Sequence, residues 1–267
     1  MARVLAISSQ VARGAIGLSA AVPALQAFGH EVIALPTILL SNHPGHARFA
    51  GEHISPELLG RMMDALEANG WLAGFDAVLT GYLPSVDHVA FAQSAVERVT
   101  RQSPSAVYLC DPVLGDHPKG LYIAHDAANA IRDRLLPIAD MLKMNRFEAE
   151  WLCGCEFNDK DDFVRAARAR RWHTTVITSL PSQHAGSIAN VLVDGTVPAL
   201  AREVNRRDRV PNGTGDLLGA LWLGHRLRPC SNAEAFERAV AGVELVLSRS
   251  IDTDELQLIG TLKDLVS

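Results

Sequence analysis

The chain opens with two short apolar runs containing β-branched residues, 4–7 and 32–35, separated by an alanine-rich stretch, 18–28, that repeats at helical spacing and stops at Gly29. This β-α-β opening constrains the fold more than any other feature, because two strands joined through a helix pair in parallel and bury that helix against their own sheet. The pattern then repeats. Strand-like runs at 77–79, 106–110 and 175–178 alternate with helical stretches at 56–68, 86–101 and 126–135, and the turn Val193-Asp194-Gly195-Thr196 between two strand-like runs marks a hairpin. A last helix is expected over 232–249. The expected architecture is a three-layer α/β fold, a mainly parallel sheet with helices on both faces. With 267 residues, 48% of them hydrophobic and 21% charged, and no linker-like or low-complexity segment, the chain reads as one domain spanning 1–267.

Charge and cysteine usage narrow the function. A formal net charge of −5 leaves no face-wide basic excess for a nucleic-acid backbone, so no nucleic-acid partner is expected. No run reaches the about 18 apolar residues of a membrane span, and the N-terminus lacks a secretion signal. Four cysteines (Cys110, Cys153, Cys155, Cys230) without zinc-ligand spacing do not form a disulfide framework. The expectation is a reduced, cytoplasmic enzyme that holds any anionic ligand locally and has no membrane partner.

Such a local holder lies at Asn212-Gly213-Thr214-Gly215-Asp216, just before the apolar run 217–223. Gly213 and Gly215 let the backbone approach a ligand closely, and the first N–H groups of the following helix have no partner within it, so the turn suits a phosphate. Asp216 falls in the first helical turn, where the dipole favours its ionised form and where it could take a proton from a hydroxyl attacking that phosphate. The competing reading is an ordinary N-capped core helix, which accounts for the leucines and one Asp but not for two glycines flanking Thr214. Phosphoryl transfer is therefore expected.

In a parallel sheet, functional residues gather at the carboxyl ends of strands. Here those are Ser8-Ser9, the loop 40–51, Gly81-Tyr82, the loop 111–116 and Thr178-Ser179. Asp111 and Asp116 stand in a loop with Pro112 and Gly115, a setting for magnesium held through water between protein and phosphates, or else a plain polar turn. Asn145 reads as a helix N-cap with Glu148 as its capping-box partner, and the same carboxylate at the helix mouth could order metal-bound water.

Taken in order, Ile7-Ser8-Ser9-Gln10-Val11-Ala12-Arg13-Gly14-Ala15-Ile16-Gly17, Ser41-Asn42-His43, Thr80-Gly81-Tyr82, Cys110-Asp111-Pro112-Val113-Leu114-Gly115-Asp116, Asn145-x-Phe147-Glu148-Ala149-Glu150, Val176-Ile177-Thr178-Ser179 and Gly213-Thr214-Gly215-Asp216 resemble the pyridoxal kinases of the ribokinase-like superfamily over nearly the whole chain. The resemblance implies ATP-dependent phosphorylation of the 5′-hydroxymethyl group of pyridoxal in vitamin B6 salvage. Asp216 would be the base, and Gly213, Thr214 and Gly215 would hold the γ-phosphate. It further implies substrate contacts from Ser9, His43 and Tyr82, and nucleotide-side contacts from Asp111, Asp116, Tyr122, Asn145, Glu148, Thr178 and Ser179. Mg2+ would sit near Asp111, Asp116 and Glu148. The loop 41–51 would be a flap that closes over the substrate and excludes water, and the assembly would be a homodimer.

Two positions depart from the family pattern. Pro44 stands where the family usually has a Thr that contacts the pyridoxal ring, which removes one substrate hydrogen bond and leaves His43 or His46 to rebuild recognition, or a different ring to be preferred. Lys143-Met144 stand where Thr-Pro is usual, the Thr helping to seat a monovalent cation. The Lys143 ammonium is expected either to take that cation's place, removing a need for potassium, or to point to solvent. Two alternatives accompany the main reading: a kinase for hydroxymethylpyrimidine or another ring alcohol, and a catalytically weak relative that binds B6 vitamers. Arg202, Arg206, Arg207 and Arg209 read as a solvated face, with steering of ATP as the second reading. His43, His46 and His53 lack partners at ligand spacing, and no metal site is expected there.

Overall fold

The protein is described by a computed structural model covering residues 1–172 and 174–266. Its strands are β1 (Arg3–Val11), β2 (Glu31–Leu40), β3 (Gly51–His53), β4 (Ala77–Thr80), β5 (Val107–Cys110), β6 (Gly115–Asp116), β7 (Gly120–Leu121), β8 (Met141–Asn145), β9 (Thr174–Pro181), β10 (Ser187–Asp194) and β11 (Leu200–Asn205). Nine of them form one sheet in the order β11-β10-β9-β8-β5-β4-β1-β2-β3, and β6 and β7 form a separate small hairpin. The six central strands, β2 to β9 in that order, pair in parallel. The edge strands β3, β10 and β11 are antiparallel. The hairpin expected around Asp194 is the β10–β11 turn.

Helices cover both faces. On one side lie α2 (Pro56–Ala68), α3 (Val86–Gln102), α4 (His125–Ala130), α5 (Arg146–Cys153) and α6 (Lys160–Ala169); on the other lie α1 (Leu18–Ala27), α7 (Thr214–Arg226) and α8 (Asn232–Arg249). Strand side chains alternate between two cores, as a period of two requires. Leu5, Ile7, Val78, Tyr108, Leu142 and Met144 belong to the α2–α6 core, whereas Val4, Ala77, Leu79, Leu109 and Met141 belong to the α1–α7–α8 core. The same alternation puts Lys143 on the α7 side of β8. Helix α7 packs against α1 and α8, and its residues from Leu217 to His225 are all buried, which explains why it is apolar all round rather than striped.

Where the elements depart from expectation, the cause is local. Strand β8 is hidden in the sequence because Lys143 interrupts its apolar run. Strand β2 continues five residues past 35 to Leu40, where it pairs with β3. The stretch 126–135 divides into α4 and a π-helical turn, Ile131–Leu135. Helix α6 shows only a short apolar stripe, and the Asp159 side chain caps it by accepting from the N–H groups of Asp161 and Asp162. Among the described residues no helix is long and apolar enough to cross a membrane.

Candidate active site

The glycine turn caps α7 with Gly213 in the left-handed region, φ 98°. Two constraints meet there. Only glycine adopts this conformation freely, and a Cβ at Gly213 would lie 1.8 Å from the carbonyl oxygen of Ala15. The loop that follows β1 is thus pressed onto the turn, and its Gly17 N–H lies on the side of the Asp216 carboxylate, where it favours the ionised form. Gly17, also left-handed at φ 55°, leaves no room for a Cβ against Ser9, whose Oγ would be 2.4 Å away. Ser9 and Gly17 thus come together with Asp216, about 200 residues further on. Gly17 is a residue of this site to which the sequence reading gave no role; the closely spaced Gly14 and Gly17 after the first strand are the signal that could have found it. Burial pushes the Asp216 carboxyl above its ordinary pKa, opposed by the Gly17 N–H, by Lys143 and by its own backbone N–H.

Behind this turn lies a cluster of buried charge. Lys143, 5% exposed, donates to both oxygens of Asp111, 3% exposed, at 3.0 and 2.9 Å. The solvent-facing reading of Lys143 is therefore wrong: strand periodicity turns the side chain under α7. Burial disfavours its charge, but Asp111, Glu148 and Asp216 together outweigh that effect and hold its pKa above the usual value. Burial raises the Asp111 carboxyl, with Lys143 pulling against it. Glu148 is raised chiefly by burial, against Lys143 and two backbone donors, the N–H of Asn145 at 2.7 Å and of Leu114 at 3.1 Å.

Asn145 and Glu148 form the expected capping box at the start of α5, the Asn145 side chain accepting from the Glu148 N–H at 2.9 Å. The Asn145 amide also donates to the Gly115 carbonyl at 2.8 Å, which fastens the β6–β7 hairpin over the helix mouth. That hairpin carries Asp116, whose carboxylate lies near the Tyr122 hydroxyl and 3.8 Å from Lys119. Burial raises the Tyr122 phenol first, and Asp116 adds to it. Thr178 lies beside Asn145 across the β8–β9 pairing, and Ser179 follows it in the left-handed region, φ 64°, exposed at a bulge within β9, which continues past the expected end at 178 to Pro181.

The donor set fits magnesium. Its oxygens are hard ligands, and Asp116 Oδ1 is buried without a hydrogen-bond partner, as an atom awaiting an ion or its water would be. Asp111 and Glu148 already have both oxygens engaged. The three carboxylates also do not bring their ligand atoms within 4.8 Å of one another. The arrangement suits an ion held through water and phosphate rather than one gripped by all three acids.

On the substrate side, the Tyr82 N–H donates to Ser8 Oγ at 3.0 Å and Thr37 Oγ1 donates to the Tyr82 carbonyl at 2.8 Å, so the Gly81-Tyr82 turn is fixed beside Ser9. Loop 41–50 is tied to itself, Ser41 Oγ accepting from the Ala50 N–H at 2.9 Å and the Asn42 amide donating to the Arg48 carbonyl at 3.0 Å. Burial lowers the His43 pKa, Lys119 and His46 add to that, and Asp116 acts in the opposite sense. Pro44 is exposed. His46 does find partners: it lies 3.5 Å from Glu255, and with Asp254 it makes a triad whose ligand atoms fall within 4.8 Å. Arg13 already pairs with both carboxylates, at 3.1 and 3.3 Å, which makes the cluster an ionic tie between loop 41–50, the β1 loop and the C-terminal segment. Arg202 and Arg207 pair with Glu237 and Glu244 of α8, which agrees with the solvated-face reading of that run.

Comparison with known proteins agrees with this geometry. The family model described as phosphomethylpyrimidine kinase matches residues 13–259. A pyridoxal kinase, PdxY, of Leifsonia xyli is 34% identical over 96% of this chain and 92% of its own, and the human pyridoxal kinase is 32% identical over 96% and 87%. The structure of the Leishmania donovani pyridoxal kinase in complex with ADP and pyridoxamine superposes with a TM-score of 0.91, at 28% identity and covering 98% of this chain and 95% of that one. With its mainly parallel sheet, helices on both faces and these relatives, the chain belongs to the phosphomethylpyrimidine kinase family of ribokinase-like phosphotransferases, in its pyridoxal kinase group.

Proposed function

We propose that the protein transfers the γ-phosphoryl group of ATP to the 5′-hydroxymethyl group of pyridoxal or a closely related B6 vitamer. One observation carries the reading: in a chain of the pyridoxal kinase group, a half-buried Asp216 stands at the mouth of α7 beside a glycine turn and adjoins a cluster of buried carboxylates. Asp216 removes the hydroxyl proton, the freed oxygen attacks the γ-phosphorus, the bond to the β–γ bridging oxygen breaks, and ADP leaves. The backbone at Gly213, Thr214 and Gly215 meets the charge that builds on the phosphoryl oxygens. Ser9, His43 and Tyr82 hold the ring, with Pro44 shaping its edge. Asp111, Asp116, Tyr122, Asn145, Glu148, Thr178 and Ser179 surround the nucleotide phosphates, and Asp116, with Asp111 and Glu148 nearby, would hold Mg2+, which would supply neutralisation of phosphate charge.

The same reading makes potassium dispensable, because the Lys143 ammonium already lies against Asp111 and the α7 turn. It also includes a homodimer and, from four free cysteines, a reduced cytoplasmic setting. A second reading, a hydroxymethylpyrimidine kinase, is favoured only by exposed Pro44 at the ring edge and by the family description. Rates on pyridoxal, pyridoxine, pyridoxamine and hydroxymethylpyrimidine, each with and without potassium, test both. Pyridoxal is expected to have the highest kcat/KM with no potassium effect; preference for the pyrimidine would select the second reading.

A further inference from the structure

Of 25 lysines and arginines in the chain, Lys143 alone is buried among the described residues. Asp111 is its one hydrogen-bond acceptor among those residues, and a pair of opposite charges would satisfy a purely structural need. Its placement asks for more. A Cβ on Gly215 would lie 2.8 Å from Lys143 Nζ, so the ammonium abuts the phosphate-facing turn itself. One helical turn on, a Cβ at Gly219 would lie 3.7 Å from Asp111 Oδ2 and 3.9 Å from Lys143 Cδ. Two glycines, poor helix formers, thus line the slot in which this pair meets α7. The cluster also holds three carboxylates, Asp111, Glu148 and Asp216, against one fixed cation, in the place where a polyanion must bind.

We propose that Lys143 is a further catalytic residue of the phosphoryl transfer, its ammonium donating to a γ-phosphoryl oxygen at the Gly213–Gly215 turn. It stays protonated throughout; it moves no proton and takes up charge that appears as the bond to ADP breaks. The inference rests on the kinase reading above.

Lys143→Met keeps an unbranched stem, one atom shorter, and removes the charge. The expected result is a fall in kcat of about a hundredfold or more with KM for ATP and alcohol within about threefold, as for loss of one preorganised donor. Binding supplies a readout independent of turnover: affinity for ADP with aluminium fluoride drops in parallel with kcat, while affinity for ADP alone holds. In Lys143→Ala, added ammonium or methylammonium restores part of kcat and leaves the wild type unchanged. A folded K143M that keeps kcat within about threefold, or that loses kcat with unchanged affinity for the fluoride complex, overturns the assignment. If K143M does not fold because Asp111 is left uncompensated, the same comparison is made between D111N and D111N/K143M, with the same two outcomes. A wild type that phosphorylates no ring alcohol strikes the kinase reading, and this inference with it; a K143M failure beside an active wild type strikes only the inference.

Discussion

The two ends of the proposed site are built differently. The phosphate end consists of the half-buried mouth of α7, the buried Lys143–Asp111 pair and the α5 capping box, each packed against at least one other element. The ring end is an exposed loop bonded mainly to itself, with Pro44 in the open and an ionic tie from His46 and Arg13 to Glu255 at its rim. Buried charges with fixed partners tolerate little change, whereas an exposed loop can be rebuilt one residue at a time. Under the proposed function, the chemistry is set at one end and the choice of alcohol at the other.

The largest effect should come from Asp216→Asn, which keeps the shape and removes the base: kcat is expected to fall by about a thousandfold or more, with ADP affinity nearly unchanged. In the wild type the acid limb of the rate, set by deprotonation of Asp216, should lie above the usual carboxylate range, since burial raises that group. Steady-state rates across pH check both.

Gly213→Ala comes next. The new methyl would meet the Ala15 carbonyl at 1.8 Å in a left-handed backbone, so the β1 loop must move and Gly17 must leave Asp216. A kcat loss of about a hundredfold and a destabilisation of about 1–3 kcal/mol are expected, read by kinetics and thermal melting.

How much of this was legible beforehand divides along the same line. Short-range signals were readable: the helices at 56–68 and 232–249, the capping box at Asn145 and the glycine turn at α7 depend on neighbours within a few residues. Strand β8 was not, because its lysine looks like a surface residue until Asp111, 32 residues away, is seen to neutralise it. The Arg13–Glu255 tie spans 242 residues and leaves no local pattern at all. The three acids read as magnesium ligands do come to one region, but two have their oxygens already engaged, a condition set by backbone geometry that no spacing reveals.

At the ring end, Pro44→Thr should leave kcat within about twofold and change the kcat/KM ratio between pyridoxal and hydroxymethylpyrimidine by about tenfold, since it adds one hydroxyl. A comparable effect on kcat itself would break the contrast between the two ends.

The smallest effect lies behind the phosphate end, at the far end of α7. His225 is buried edge-on against Phe28, at 4.6 Å and 82°, with its Nδ1 unpartnered, and burial lowers its pKa to about 4. The unfolded chain takes up that proton near 6.5, so its share of stability is complete above that pH and is lost as pH falls toward 4. His225→Leu should flatten the melting temperature across this window without changing kcat at neutral pH.

The central claim is a γ-phosphoryl transfer to a vitamin-like ring alcohol at Asp216. The most direct measurement is mass spectrometry of the products formed when purified protein is incubated with Mg-ATP and pyridoxal, wild type beside Asp216→Asn. The account predicts pyridoxal 5′-phosphate and ADP in equal amounts from the wild type and at most a trace from the variant. Equal product from both proteins, or none from the wild type, would contradict it.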